Sequence, residues 1–451
     1  MSEKFCTGAC LFGKCPFPHC IRANQKTRRA VKLNAAMNIL TDGADIGIAS
    51  DKSGIGAAID IGTTTVAAAL YDMGASKLIG TRSKLNSQAS LGVDVISRIK
   101  FSGEEGGLDA LRDAIIGDIN DLLGGFGRDD ISACVITGNT TMLHLVAGVS
   151  PVTMGYLPFA PASLFGSSRS LGKSGVTALD NNGTDAYLAD CISSFVGGDI
   201  TCAILASGMM DAPGDALLLD IGTNGEVALK RGDELFVTST AAGPAFEGAA
   251  ISCGMAGVNG AVSRVSPLMG KIDVETVGGV KAAGICGSGL LDAVALMLDT
   301  EVIDETGAFT DTDSPFAGTV NGQRAFFVTD GVYITQGDIR ELQTAKAAIA
   351  AGVDTLLHTA GIEWSGLSAV YLAGGFGNFL DPASAARIGI FPKESLDRIT
   401  PIGNGALAGA AMMLMREDNM KKAVAIAKKG EHVELGHNPY FMDRYIDCMM
   451  F

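Results

Sequence analysis

Two apolar runs with an acid near the end divide the chain into halves that echo each other. Residues 57–61 and 216–221 are apolar apart from Asp60 and Asp220, so each reads as a buried strand carrying one carboxylate to its tip. A tight turn follows in both copies, DIGTTTV from Asp60 and DIGTNGEV from Asp220, and the first continues as a hairpin through AAALYD. Helical periodicity runs over 93–100 and 108–123, and a strand is predicted at 133–137. Residues 150–215 read as irregular until a helix-like stretch at 192–206. The second half repeats the order: strand and turn at 216–230, a glycine-rich region at 241–290, a helix at about 339–359, the strand VYLAGGFGNFL and the helix GALAGAAMMLM. That repetition predicts an α/β protein of two related lobes closing on one cleft.

The turns have the chemistry of a phosphate site. Gly62 and Gly222 let backbone approach a ligand closely, and Thr63, Thr64, Thr65, Thr223 and Asn224 add hydroxyl and amide donors. An Asp at a strand tip suits Mg²⁺, which takes oxygen ligands and keeps waters while bridging to phosphates. One D-x-G-T is an ordinary strand-to-turn signal. Two copies, each after a core strand, point to a triphosphate gripped from both sides. Neither copy is a G-x-x-x-x-G-K-[ST] loop or a G-x-G-x-x-G turn. Further glycine turns at 241–247 (AAGPAFE), 284–289 (GICGSG) and 373–377 (AGGFG) fit the same cleft, the first two ahead of predicted helices whose N-termini attract anions.

Composition narrows the class. The 451 residues suffice for two or three domains, and 47% hydrophobic with 6% aromatic residues and 59 glycines predicts Ala, Val, Ile and Leu cores around many turns. A net charge of −15 argues against a nucleic-acid or anionic-membrane partner. No apolar span of membrane length and no signal-peptide core is present, so a cytoplasmic location is expected.

Four of the ten cysteines fall in the first 20 residues: Cys6, Cys10, Cys15 and Cys20, spaced C-x3-C-x4-C-x4-C. In a reducing compartment these are not disulfides. Four thiolates suit a tetrahedral site, either an iron–sulfur cluster or Zn²⁺, with His19 able to replace one thiolate; the third reading is no metal. The spacing matches neither the bacterial nor the plant-type ferredoxin run. Cys134, Cys191, Cys202 and Cys253 read as buried thiols, and His144, in an apolar run, as a core histidine.

With both Asp-Gly-Thr turns, AGGFG and GNGALAGA (403–410) in order, residues 55–415 resemble the acetate and sugar kinase, Hsp70 and actin superfamily, whose two lobes are ribonuclease H-like. More closely, NSQASLGVDVISRI (86–99), ITGNTTMLHLVAG (136–148), FVGGDI (195–200), STAAGPAFEGAAISCGM (239–255), ITQGDIRELQTAKAAI (334–349) and VYLAGGFGN (370–378) are similar to the ATP-dependent reductive activators of corrinoid enzymes. The chain reads as a Cys-rich leader at 1–54, lobes at 55–215 and 216–415, and a C-terminal tail at 416–451. The resemblance implies an ATPase that drives an electron uphill onto a Co(II) corrinoid and returns it to Co(I). It places ATP and Mg²⁺ on Asp60, Gly62, Thr63, Thr64, Thr65, Asp220, Gly222, Thr223 and Asn224. Gly243, Gly374, Gly375 and Gly377 lie near the nucleotide on this reading, and Gln343 and Lys346 on its adenosine side. Asn86, Gln88, Asp94 and Arg98 are left to the fold, a domain junction or the partner face. The implied partners are a corrinoid protein or corrinoid methyltransferase component and, by analogy, a second copy of the chain.

Typical members carry a plant-type [2Fe–2S] domain, for which residues 1–54 leave no room. Either the four cysteines form a compact redox centre or the electron comes from another protein. Two other readings remain: an ATP-switched binding protein with a structural zinc site, and a small-molecule kinase. Against the kinase, the strand at 133–137 ends in Gly138 and Asn139 with no acid to accept a hydroxyl proton.

Overall fold

The computed structural model describes residues 41–451 apart from 170–174, 223, 312 and 375–379. The expected hairpin forms from β1 (Ile55–Ile61) and β2 (Thr65–Asp72), with Asp60 opposite Ala67, and β3 (Lys77–Leu85) pairs with β2. Two helices follow, α1 (Val95–Ser102), opened by an Asp94–Ser97 capping box, and α2 (Gly107–Gly124). Strand β4 (Ile131–Gly138) returns parallel to β1 and sets Thr137 beside Asp60. After α3 (Thr140–Ala147) come β5 (Ser167–Arg169), the single turn α4 (Thr177–Asp180) and β6 (Ala186–Leu188). The sheet order is β3-β2-β1-β4-β6-β5. Strands β1 and β2 are apolar on both faces because helices cover both sides of the sheet, as in other two-sided α/β layers.

The helix-like stretch at 192–206 becomes a helix only from Gly198, as α5 (Gly198–Ser207). The Ile192 and Ser193 amides both donate to the Val196 carbonyl, making a turn instead. A Cβ on Gly197 would lie 2.5 Å from the Asn139 Cα, so this glycine lets the start of α5 press on the start of α3.

The second lobe repeats the plan. Strands β7 (Asp215–Ile221), β8 (Gly225–Arg231) and β9 (Glu234–Thr240) form its antiparallel half. The glycine-rich region at 241–290 holds an unforeseen hairpin, β10 (Ala261–Leu268) and β11 (Lys271–Thr276), joined by β12 (Gly284–Ile285). Then come α6 (Gly287–Asp299) and the small sheet of β13 (Ala317–Val320), β14 (Gln323–Thr329) and β15 (Val332–Thr335). Helix α7 (Gln336–Ala360) starts a few residues before the apolar period does, because Thr335 and Asp338 form a capping box in which the Thr335 amide donates to Asp338 Oδ2 at 2.7 Å. Strand β16 (Leu367–Ala373) lies parallel to β7, as β4 does to β1. It leads through α8 (Pro382–Arg387) and β17 (Ile399–Gly403) to α9 (Gly405–Met415).

Residues 416–451 form α10 (Glu417–Lys429), β18 (Gly430–His432) and α11 (Pro439–Asp447). Strand β18 extends the second sheet beside β9, giving the order β17-β16-β7-β8-β9-β18. Helix α11 is tied to α7 by Arg444 and Asp354 at 2.7 Å.

Helices α5 and α9 occupy equivalent places, each following the last parallel strand of its half, and they pack against each other between the sheets. One core therefore joins the halves, with Ala58, Val135 and Cys202 from the first and Leu218, Ala228, Leu407 and Leu414 from the second. Helix α9 is apolar all round because it has no solvent face. Among the described residues no helix is long and apolar enough to cross a membrane.

Candidate functional site

Four carboxylates gather where the two hairpins turn. Asp60 and Asp220 are the second-to-last residues of β1 and β7; each is half-buried, and each hairpin turns just beyond its acid. Burial pushes Asp60 up to about 6, against a lowering hydrogen bond from Asn404, whose Nδ2 donates to Asp60 Oδ2 at 2.9 Å. Burial, then the charge of Asp60, pushes Asp220 up to about 7. Asp199, in the first turn of α5, is raised by burial and by the charges of Asp220 and Asp60. Buried Glu226 is raised by burial and by Asp199 and Asp220.

Asp199 and Glu226 were not singled out from the sequence. Asp199 stood within FVGGDI as an acid following two glycines, a signal that could have marked it. Glu226 reaches the cleft through register: Ile221 pairs with Gly225 across a three-residue turn, so Glu226 lies opposite Asp220. In the first copy a four-residue turn pairs Ile61 with Val66 and puts Ala67 opposite Asp60. Partners opposite one another share a face of the sheet, which is why turn length decides whether the acid points at the cleft.

The phosphate-type turns divide their donors. The Gly62 amide donates to Thr65 O and the Gly222 amide to Asn224 O, both at 2.9 Å, so these amides close their own turns. Groups left to meet a ligand at these turns are the neighbouring amides, the hydroxyls and the Asn224 side chain. Thr63 Oγ1 accepts from Asn139 Nδ2 at 3.2 Å. Thr64 Oγ1 donates across the cleft to Glu247 Oε2 at 2.7 Å. Thr65 begins β2.

The first turn is braced from behind. Arg98 is fully buried with Nη2 donating to Thr63 O at 2.7 Å and Nε to Gly92 O at 2.8 Å, while Asn86 Nδ2 donates to Gly62 O at 2.8 Å. Gln88, also buried, accepts from Arg98 and donates to Leu111 O. Asn86, Gln88 and Arg98 thus hold the turn's carbonyls, and Asp94 caps α1. His144 is the expected core histidine, its Nδ1 bonded to Thr140 O.

Gly374 meets the second acid directly. It follows β16 directly at φ +90°, and a Cβ there would lie 2.6 Å from Asp220 Oδ1, so a side chain is excluded by contact and by conformation. Gly243 turns the chain just before Pro244–Glu247. Gln343 and Lys346 are buried on α7, with their polar ends engaged by the last residues of the sequence. Gln343 Nε2 donates to Met449 O at 2.7 Å, and Lys346 Nζ donates to Met450 O and lies 5.5 Å from the Phe451 ring centre. Burial lowers Lys346 to about 8. To meet an adenosine, these side chains would have to release residues 449–451. Thr223, Gly375, Gly377 and the cysteines Cys6, Cys10, Cys15 and Cys20 lie outside the described residues.

The donor set fits Mg²⁺ with phosphate. Among the described residues no three His, Cys, Asp or Glu side chains converge closely enough to hold an ion alone. Mg²⁺ bound through one or two carboxylates, waters and phosphate oxygens does not require such convergence. Raised carboxylates flanked by hydroxyl and amide donors supply both halves of that arrangement.

Comparison with known proteins gives a consistent picture. Residues 55–212 match the family model of the RACo middle region, and residues 215–451 that of the C-terminal domain of RACo, the ASKHA domain. The corrinoid activation enzyme RamQ of Eubacterium limosum is 35% identical over 424 residues, covering 88% of this chain and 70% of the relative. A [Co(II) methylated amine-specific corrinoid protein] reductase of Methanosarcina barkeri is 26% identical over 424 residues, covering 87% of this chain and 76% of that protein. Among solved structures, a reductive activator for corrinoid, iron–sulfur protein superposes with a TM-score of 0.81 at 34% identity, covering 89% of this chain and 67% of that one.

Proposed function

The chain belongs to the RACo family of reductive activators, and from that premise we propose how its cleft performs ATP-dependent activation of a corrinoid protein. The protein is an ATPase whose hydrolysis drives a low-potential electron onto a Co(II) corrinoid and returns it to Co(I). The observation that carries this reading is the pair of acid-tipped hairpins meeting in one cleft, with Asp60 and Asp220 close enough for the charge of one to raise the other. Asp60 and Asp220 would hold Mg²⁺, directly or through its waters, and the ion would supply charge neutralisation at the phosphates. Thr63, Thr64, Thr65, Thr223 and Asn224 donate to the phosphate oxygens. Asn404 keeps Asp60 oriented and favours its ionised form. Asp199 and Glu226 are held protonated in the empty cleft, and either would become a base for the attacking water only once bound Mg²⁺ favours its ionised form. Gly243 and Gly374 leave backbone bare beside the nucleoside, and the sequence resemblance assigns Gly375 and Gly377 to the same side of it.

The partner is a corrinoid protein, here a component of a corrinoid methyltransferase system. Cys6, Cys10, Cys15 and Cys20 would hold an iron–sulfur cluster if the electron passes through this chain, and zinc or no metal if an external donor delivers it. Iron, zinc and sulfide analysis of anaerobically purified protein separates these two. The nucleotide assignment is tested by Asp220→Asn, which is expected to lower Mg²⁺-dependent phosphate release at least about 100-fold on the scale of a lost charge-stabilising group, with unchanged circular dichroism. Turnover equal to wild type would remove Asp220 from the site.

A further inference from the structure

Glu247 reaches both phosphate-type turns. It ends the short 3₁₀ turn Pro244–Glu247 of the second lobe, and its carboxylate reaches the first lobe to accept the Thr64 hydroxyl at 2.7 Å. Its other oxygen, Oε1, lies 3.9 Å from the point a Cβ on Gly222 would occupy. One carboxylate therefore spans from the first phosphate turn to the second, half-buried, in a cleft already lined by Asp60, Asp199, Asp220 and Glu226.

The chemistry of that position is exclusive. A threonine hydroxyl has one proton to donate, and both a carboxylate and a phosphate can only accept it. A nucleoside held by the Gly374 side of the second lobe would extend its phosphate chain toward the first, which would make the terminal phosphate the group that reaches Thr64. We propose that Glu247 is the specificity-determining residue that distinguishes a triphosphate from a diphosphate: its carboxylate latches Thr64 across the cleft, and only a terminal phosphate takes that hydroxyl and displaces it. The inference rests on the nucleotide reading of the cleft. A diphosphate leaves the latch closed; a triphosphate opens it and meets the repulsion of the displaced carboxylate, so a bond between the lobes is exchanged for one to the ligand. Phosphate loss re-forms the latch without a further partner.

The test is calorimetric binding of Mg²⁺ with a non-hydrolysable ATP analogue (the imido-linked triphosphate) and with ADP, on wild type, Glu247→Gln and Glu247→Ala. Gln keeps the shape, still accepts from Thr64 and can donate to a phosphate oxygen. Glu247→Gln is expected to tighten the triphosphate about tenfold or more, the scale of a charged hydrogen bond, and to change ADP less than about threefold. Glu247→Ala should shift the triphosphate-to-diphosphate ratio the same way by a smaller factor. A paired spin-label distance across the cleft should change with the triphosphate and not with ADP in wild type, and change with neither in Glu247→Ala beyond its own ligand-free value. An unaltered affinity ratio in both variants, or equal loss for both nucleotides, overturns the latch. If wild type binds neither nucleotide, the cleft assignment itself fails and takes the latch with it. If wild type binds both and only the ratio is unmoved, the latch alone fails.

Discussion

Loading the cleft with Mg²⁺ should expel protons, in a number set by Asp60 and Asp220. Burial holds Asp60 at about 6 and Asp220 at about 7, above the ordinary carboxylate value of 3.8. At pH 6 Asp60 is then about half protonated and Asp220 about nine-tenths, so binding that ionises both releases about 1.4 protons per ion; at pH 8 the same sum is about 0.1. The sign of the stability effect follows. Both groups bind protons more tightly in the folded chain than in the unfolded one, so the ligand-free protein loses stability as pH rises from about 4 through 7, and bound Mg²⁺ restores it. The assay is calorimetry with preformed Mg²⁺–triphosphate analogue in two buffers of different ionisation enthalpy, at pH 6 and pH 8. Asp220→Asn isolates its share and should lower the release at pH 6 by about 0.9 protons. A wild-type release that is the same at both pH values, or indifferent to Asp220→Asn, would refute the assignment of the two acids to the ion.

Arg98→Met should destabilise the protein by about 3 kcal/mol, since it strands the buried Thr63 and Gly92 carbonyls at roughly 1–3 kcal/mol each; the urea midpoint reads this, and an unchanged midpoint counts against the brace. Lys346→Met should speed amide exchange at residues 449–451, because Lys346 holds the Met450 carbonyl. A raised KM for ATP with unchanged exchange there would return Lys346 to the adenosine side.

Much of the site was legible because it is local. An apolar run ending in Asp-x-Gly-Thr fixes the strand, the acid and the turn within a few residues; the first copy formed the expected hairpin and the second its expected strand and turn. The glycine following β16 was legible for the same reason, and it lies against Asp220. Glu226, Asp199 and Glu247 were not, because each reaches the cleft through something sequence does not carry locally. For Glu226 it is a turn one residue shorter than its twin; for Asp199 and Glu247 it is the meeting of segments far apart in the chain. Helix α9 shows the same limit: GALAGAAMMLM announces burial on all sides, but not that the first lobe's β1 and β4 provide part of it. Gln343 and Lys346 looked available on a helix face until residues 449–451 were seen to cover them.

The central claim is that nucleotide hydrolysis in this cleft drives reduction of a corrinoid cobalt. It is tested most directly by incubating the protein anaerobically with a corrinoid protein in its Co(II) state and a low-potential reductant, following the Co(II) paramagnetic signal and Co(I) absorbance. Co(II) is expected to give way to Co(I) with Mg²⁺ and ATP, and to persist without ATP, with the non-hydrolysable analogue, or with Asp220→Asn. Co(I) forming at the same rate without ATP, or Co(II) persisting while ATP is hydrolysed in its presence, would contradict the account.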